Sequence, residues 1–190
     1  AGIEHFQLNS GKKTIFITGG SLGAKTLNTA LKEGLLKLNE DERSRFQFLW
    51  QCGKVYYEQD KTSGAALLPN VKILPFVDRV DLAYAAADVV IARAGALTIS
   101  ELCLVGKPAV LVPSPNVAED HQSKNALALS QIGAARCVKD SEAIDKMLNE
   151  SFIILDNEAL SFSLSENIRP LGKPDAARAI ADVALSIIEK

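Results

Sequence analysis

The sequence predicts an α/β domain built on a doubly wound parallel sheet of the Rossmann-like kind. Two observations predict it. Short apolar runs alternate with stretches of helical period along the chain. The runs are continuously apolar, as in strands covered by helices on both faces, and right-handed crossovers then wind the sheet both ways.

Thr14–Thr18 (TIFIT) reads as the first buried strand. A Gly-rich turn follows, then a helix from Lys25 to Leu38, where Leu27, Ala30, Leu31, Gly34, Leu35 and Leu38 recur at three- and four-residue spacing. Phe46–Cys52 is a second strand and Val55–Ser63 a helix ending near Gly64. Val71–Leu74 is a short third strand, Val80–Ala87 an alanine-rich helix, and Asp88–Ala92 a fourth strand. The helix Thr98–Val105 is stopped by Gly106 and Pro108. Ala109–Val112 is a fifth strand ended by Pro113 and Pro115, His121–Ile132 a helix closed by Gly133, and Ala135–Val138 a sixth strand. Three helices, Ser141–Glu150, Asn157–Asn167 and Asp175–Glu189, complete the chain. Residues Ala1–Leu8 show no structural pattern and no initiator Met, so the chain reads as a fragment. Residues 1–13 are then expected to join a missing N-terminal domain, with 14–190 as the domain proper. The break Arg169–Pro174 would let the terminal helix, 174–190, cross to that partner domain.

Hydrophobic residues make up 47% of the 190 positions, enough to build a core, which excludes disorder as the main state. With 21 Lys and Arg against 23 Asp and Glu, the formal charge of −2 leaves no basic footprint for nucleic acid. No signal peptide or spanning segment is evident. Cys52, Cys103 and Cys137 form no C-x-x-C pair and read as reduced, buried small hydrophobes. Two histidines do not make a His-rich zinc site.

Ligands of doubly wound folds sit outside the carboxyl ends of the strands, where four loops of this chain lie. Gly19–Ala24 (GGSLGA) is either a phosphate cradle at a helix N-terminus or a tight turn with Ser21 as N-cap; it is neither a Walker loop nor G-x-G-x-x-G. Arg93–Glu101 (RAGALTISE) repeats the small-residue turn into a helix, with Thr98 as cap or phosphate donor. Its Glu101 is either a first-turn dipole complement or a carboxylate accepting from ribose hydroxyls. In Pro113–Gln122 and Asn125, the groups His121, Gln122 and Asn125 suit sugar hydroxyls, or else Asp120 is an N-cap beside a solvated face. Phe76–Asp78 could hold a flat ring against backbone amides.

Together these loops carry a longer pattern: G-G-S-x-G-A-x-x-x-N from Gly19 to Asn28, A-D-x-x-I-x-R-x-G-A-x-T-x-S-E from Ala87 to Glu101, G-x-P-x-x-L-V-P from Gly106 to Pro113, and H-Q-x-x-N-A from His121 to Ala126. In order and spacing it resembles the C-terminal half of the MurG family of GT-B glycosyltransferases, which move N-acetylglucosamine (GlcNAc) from UDP-GlcNAc to lipid I, forming lipid II for peptidoglycan. The resemblance implies one half of a GT-B fold and a UDP-GlcNAc donor site. Gly20 and Ser21 would approach the diphosphate, Val77 the uracil, and Ala96, Leu97 and Thr98 the phosphates and sugar. Glu101 would hold the ribose, and His121 and Gln122 the GlcNAc hydroxyls, with Asn125 nearby. The sequence departs from the family at Leu22 and His121, where many members carry Gln. The resemblance further implies no metal or cofactor, no catalytic residue in this half, and a general base and lipid I site in the other. It implies a full-length protein held peripherally on the cytoplasmic face of the bacterial inner membrane, this fragment itself being soluble. The absence of an Asp-x-Asp motif fits, since Asp78, Asp81 and Asp88 read as caps and turns. Two other readings stand beside it: a stand-alone nucleotide-sugar subunit of a two-protein transferase, and a non-catalytic UDP-GlcNAc sensor.

Overall fold

Six strands pair in the order β3-β2-β1-β4-β5-β6, every pair parallel. The structure is a computed structural model and describes residues 1–188. The strands are β1 (Lys13–Thr18), β2 (Phe46–Gln51), β3 (Val71–Leu74), β4 (Val89–Ala92), β5 (Ala109–Leu111) and β6 (Arg136–Cys137). The order reverses between β1 and β4, so the chain winds outward both ways from that pair and a crevice opens at their carboxyl ends.

Side chains alternate across the sheet because the strand period is two. Ile15, Ile17, Phe46, Phe48, Trp50, Val89 and Ile91 point to one face. They pack there with α2 (Lys25–Lys37) and α8 (Ala143–Asp156). Phe16, Leu49, Val90, Ala92 and Leu111 point to the other. There α5 (Val80–Ala86), α6 (Ala96–Val105) and α7 (His121–Gln131) cover them. Both core layers are built from the chain's own residues.

Several elements differ from the sequence expectation. Residues 1–8 do carry structure: α1 (Gly2–His5) lies on α5, with Phe6 buried. Four residues show no periodicity, and α1 is held by contact, the Gly2 backbone lying too close to the Leu82 carbonyl for a Cβ. A second short helix, α3 (Glu40–Arg45), was not expected; Asn39 and Glu42 form a reciprocal capping box at its start. The α8 helix begins at Ala143 and runs on to Asp156 instead of stopping at Glu150. Its Ser151 hydroxyl is satisfied by the Leu148 carbonyl at 2.6 Å, and Ile154 packs into the core. Strand β6 shrinks to two residues and leaves Cys137 exposed, whereas Cys52 and Cys103 are buried as expected.

The remaining helices are α4 (Lys54–Asp60), α9 (Glu158–Ile168) and α10 (Ala176–Ile188). The expected end of the last helix, Glu189, lies outside the described residues. No residue of α10 is buried. Ile180, Val183 and Ile187 form an exposed apolar stripe at helical spacing along it. Among the described residues, no helix is long and apolar enough to cross a membrane.

Candidate functional site

The loops after β1 and β4 flank the crevice. In the first, Gly20 has φ +82° and Gly23 φ +79°, and the Gly23 N–H donates to the Gly20 carbonyl at 3.0 Å. A Cβ on Gly23 would run into the Cys52 carbonyl, so this glycine serves contact with the chain. Above Gly20 and above Gly95, by contrast, a Cβ would meet no protein atom within 4 Å. Gly95 has φ −71° and ψ 149°, which any residue adopts. Neither packing nor backbone conformation requires glycine there. A ligand lying against the backbone would.

Both helices that start at the crevice lack a side-chain cap. Ala24 precedes α2 and Gly95 precedes α6, and neither position supplies a capping hydrogen bond. At the opposite end of the sheet, asparagines cap α3 and α9. Uncapped first-turn amides at the positive end of a helix dipole are suited to an anion.

Polar side chains join the loops. Thr18 Oγ1 accepts from the Gly20 N–H at 3.1 Å. Gln51 Nε2 donates to Thr18 Oγ1 at 3.1 Å and to the Gly20 carbonyl at 2.9 Å, while its Oε1 accepts from the Val77 N–H at 2.9 Å. Arg93 donates to the Val112 and Pro113 carbonyls at 3.0 and 3.2 Å and pairs with Asp140, which also accepts from Thr26 Oγ1 of α2 at 3.1 Å. Asn125 Nδ2 reaches the Ala94 carbonyl at 3.2 Å, and Gln122 Oε1 accepts from the Ser114 N–H at 2.9 Å. The Tyr84 hydroxyl donates to Glu101 Oε2 at 2.9 Å. Burial, then the neighbouring Glu101 charge, holds the Tyr84 phenol well above its ordinary range, so it remains a protonated donor.

The family-model comparison matches residues 14–180 to the glycosyltransferase family 28 C-terminal domain. The chain belongs to glycosyltransferase family 28. Relatives of it include a Bacteroides thetaiotaomicron protein, 48% identical over all of this chain and 51% of its own length, named UDP-N-acetylglucosamine--N-acetylmuramyl-(pentapeptide) pyrophosphoryl-undecaprenol N-acetylglucosamine transferase. A Bacteroides fragilis protein of the same name is 47% identical over 99% of this chain and 50% of its own. Among solved structures, MurG of Acinetobacter baumannii is 36% identical with a TM-score of 0.76, covering 90% of this chain and 51% of that one. The chain thus spans about half the length of the curated relatives it matches.

Within this family 28 domain, several sequence readings change. Ser21 caps nothing, since α2 starts at Lys25 and Ser21 is an exposed turn residue. Thr98 is the third residue of α6 instead of its cap, and Glu101 lies in the second turn, beyond reach of a capping box. Asp120 precedes α7, but in a left-handed conformation and with no capping bond. Ala96 and Leu97 form the exposed first turn of α6. His121, at the start of α7, is exposed, while Gln122 and Asn125 are half-buried with side-chain atoms committed to neighbouring loops. The Val77 N–H is taken by Gln51, so a base lying here meets other backbone atoms of that loop.

Sequence reasoning passed over Gln51 and Tyr84. The one trace of Gln51 was a polar residue next to the carboxyl end of the expected strand Phe46–Cys52. Tyr84 left no trace, because its partner lies 17 residues on. Asn28, part of the G-G-S motif, is structural: it donates to the Cys52 carbonyl at 2.9 Å and accepts from the Trp50 indole at 3.0 Å. Cys52 lies behind this contact, and burial with the nearby Asp60 pushes its thiol up to about 11.

Proposed function

We propose that this chain is the donor-binding half of a transferase that moves GlcNAc from UDP-GlcNAc to lipid I (undecaprenyl-diphospho-MurNAc-pentapeptide), yielding lipid II for peptidoglycan. The observation that carries the reading is the pair of glycines, Gly20 and Gly95, open above the backbone on either side of the switch point and next to two uncapped helix ends. The names of the relatives supply the donor and acceptor.

In this reading UDP leaves with the electron pair of the anomeric C–O bond as the acceptor hydroxyl attacks from the opposite face. The charge growing on the diphosphate is met by the amides of α2 and α6, dipoles already aligned before the reaction starts. Gly20 and Ser21 lie along the diphosphate, Val77 and its loop along the uracil, and Ala96, Leu97 and Thr98 along the phosphates and sugar. Tyr84 holds one oxygen of Glu101, whose carboxylate accepts from the ribose diol. His121 and Gln122, with Asn125 beside them, face the GlcNAc hydroxyls. No metal or cofactor is needed for donor binding, and no catalytic residue is assigned in this half. The base that takes the acceptor proton, the lipid I pocket and the peripheral attachment to the cytoplasmic face of the inner membrane belong to the other half. The bare apolar stripe of α10 supports docking of that terminal helix on the other half, with 1–13 as the joining segment.

The test is a titration of the 190-residue chain with UDP, followed by NMR, beside a transfer assay with lipid I. Without the facing half, water reaches the diphosphate and weakens each contact, so Kd is expected in the high-micromolar to millimolar range, about −4 to −6 kcal/mol. Shifts confined to the segments around Gly20, Val77, Thr98 and Gln122, without Mg²⁺ and without product, are expected. Robust transfer by the chain alone would overturn the assignment of the base.

A further inference from the structure

We propose that Gln51 is a positioning residue: it sets the separation between the diphosphate loop and the base loop, so that one nucleoside diphosphate engages both at once. The inference rests on the reading that Gly20 and Val77 mark those two ends.

The topology creates the need. The diphosphate loop follows β1 and the base loop follows β3, but β2 lies between them, so no ladder hydrogen bond ties β1 to β3. Gln51 is the last residue of the intervening strand and only 5% exposed. Its amide spans the gap, accepting from the Val77 N–H and donating to the Gly20 carbonyl and Thr18 Oγ1. Thr18 Oγ1 in turn receives the Gly20 N–H, so both backbone polar groups of Gly20 are fixed by side chains at the strand ends. Both amide hydrogens of Gln51 are spent within the chain, which makes it a strut and not a ligand contact. Gly20 is held besides by Thr18 Oγ1 and by the Gly23 N–H, so the diphosphate loop keeps its own shape and Gln51 fixes its separation from the base loop.

A strut between two half-sites affects a ligand that spans them and spares ligands that fill only one. The experiment compares UDP, uridine and inorganic pyrophosphate on the unaltered chain and on Gln51→Met, a near-isosteric side chain without the amide, by NMR titration. UDP affinity is expected to fall at least about tenfold in Gln51→Met, while uridine and pyrophosphate stay within about twofold. Unchanged UDP affinity, or parallel losses for all three ligands, would overturn the inference. If Gln51→Met fails to fold, Gln51→Leu serves: it also removes the amide and brings no charge to the diphosphate loop. The same split is then expected, with the Val77 and Gly20 amide resonances both displaced, and a parallel loss again refutes the strut. An unaltered chain that binds no UDP overturns the site reading together with the strut. UDP binding that is equal in the unaltered and altered chains overturns the strut alone.

Discussion

Replacing Gly95 by alanine separates ligand contact from fold more cleanly than any other single change in the crevice. The backbone at φ −71° and ψ 149° accepts alanine without strain, and the added Cβ meets no protein atom within 4 Å. Alanine is a poorer N-cap than glycine by roughly 1 kcal/mol or less. The lost entropy of the unfolded chain returns about 0.4–1 kcal/mol. Stability should therefore shift by no more than about 1 kcal/mol in either direction, a few degrees or less in Tm. A phosphate oxygen must come within about 2.9 Å of an α6 amide to be bound. The methyl group stands in that approach and would cost about one charge-assisted hydrogen bond, ~1.5–3 kcal/mol, or roughly ten- to over a hundredfold in UDP affinity. Gly20 is the inferior probe, because φ +82° adds about 1–2 kcal/mol of backbone strain to any L-residue. The assay pairs a thermal melt with a UDP titration. An unchanged Tm with unchanged UDP affinity would refute the reasoning, since the open space over Gly95 would then not be ligand space.

The remaining changes probe other parts of the site. Glu101→Ala should weaken UDP by about 1.5–3 kcal/mol per lost ribose hydrogen bond and hardly affect a 2′,3′-dideoxy analogue; equal losses in calorimetry would assign Glu101 to the helix instead. Tyr84→Phe, which leaves the Glu101 carboxylate without its internal partner, should lower UDP affinity severalfold, about 1 kcal/mol, with the dideoxy analogue unaffected. His121→Ala and Gln122→Ala should each lower affinity for UDP-GlcNAc but hardly for UDP; a matching loss for UDP would move these side chains away from the sugar. Asn28→Leu strands the Trp50 indole N–H and the Cys52 carbonyl in the core and should cost about 2–5 kcal/mol in a denaturant melt. A cost under about 1 kcal/mol would mean that those groups find other partners.

The sequence by itself determined the alternation of strand and helix, the continuous apolar strands, and the loops at which small residues precede a helix. Hydrophobic period and turn chemistry are local, and a few neighbouring residues suffice to express them. That is why TIFIT and VVIA are legible as strands and Gly20, Ser21 and Thr98 as candidate contact points, while Gly95 stands out only in the structure. Only the tertiary structure decided what those points face. The switch point between β1 and β4 comes from strand order, which no local pattern encodes. Gln51 meets Gly20 and Val77 across 31 and 26 positions, and Tyr84 meets Glu101 across 17. Such pairs exist only once parallel register has set the strand ends side by side. The short α1 and α3 were hidden for a related reason: with four and six residues, they are too brief for a period and are held by packing and capping. The apolar stripe on α10 was legible as periodicity, but that no described residue covers it emerged only when the core had been assembled without it.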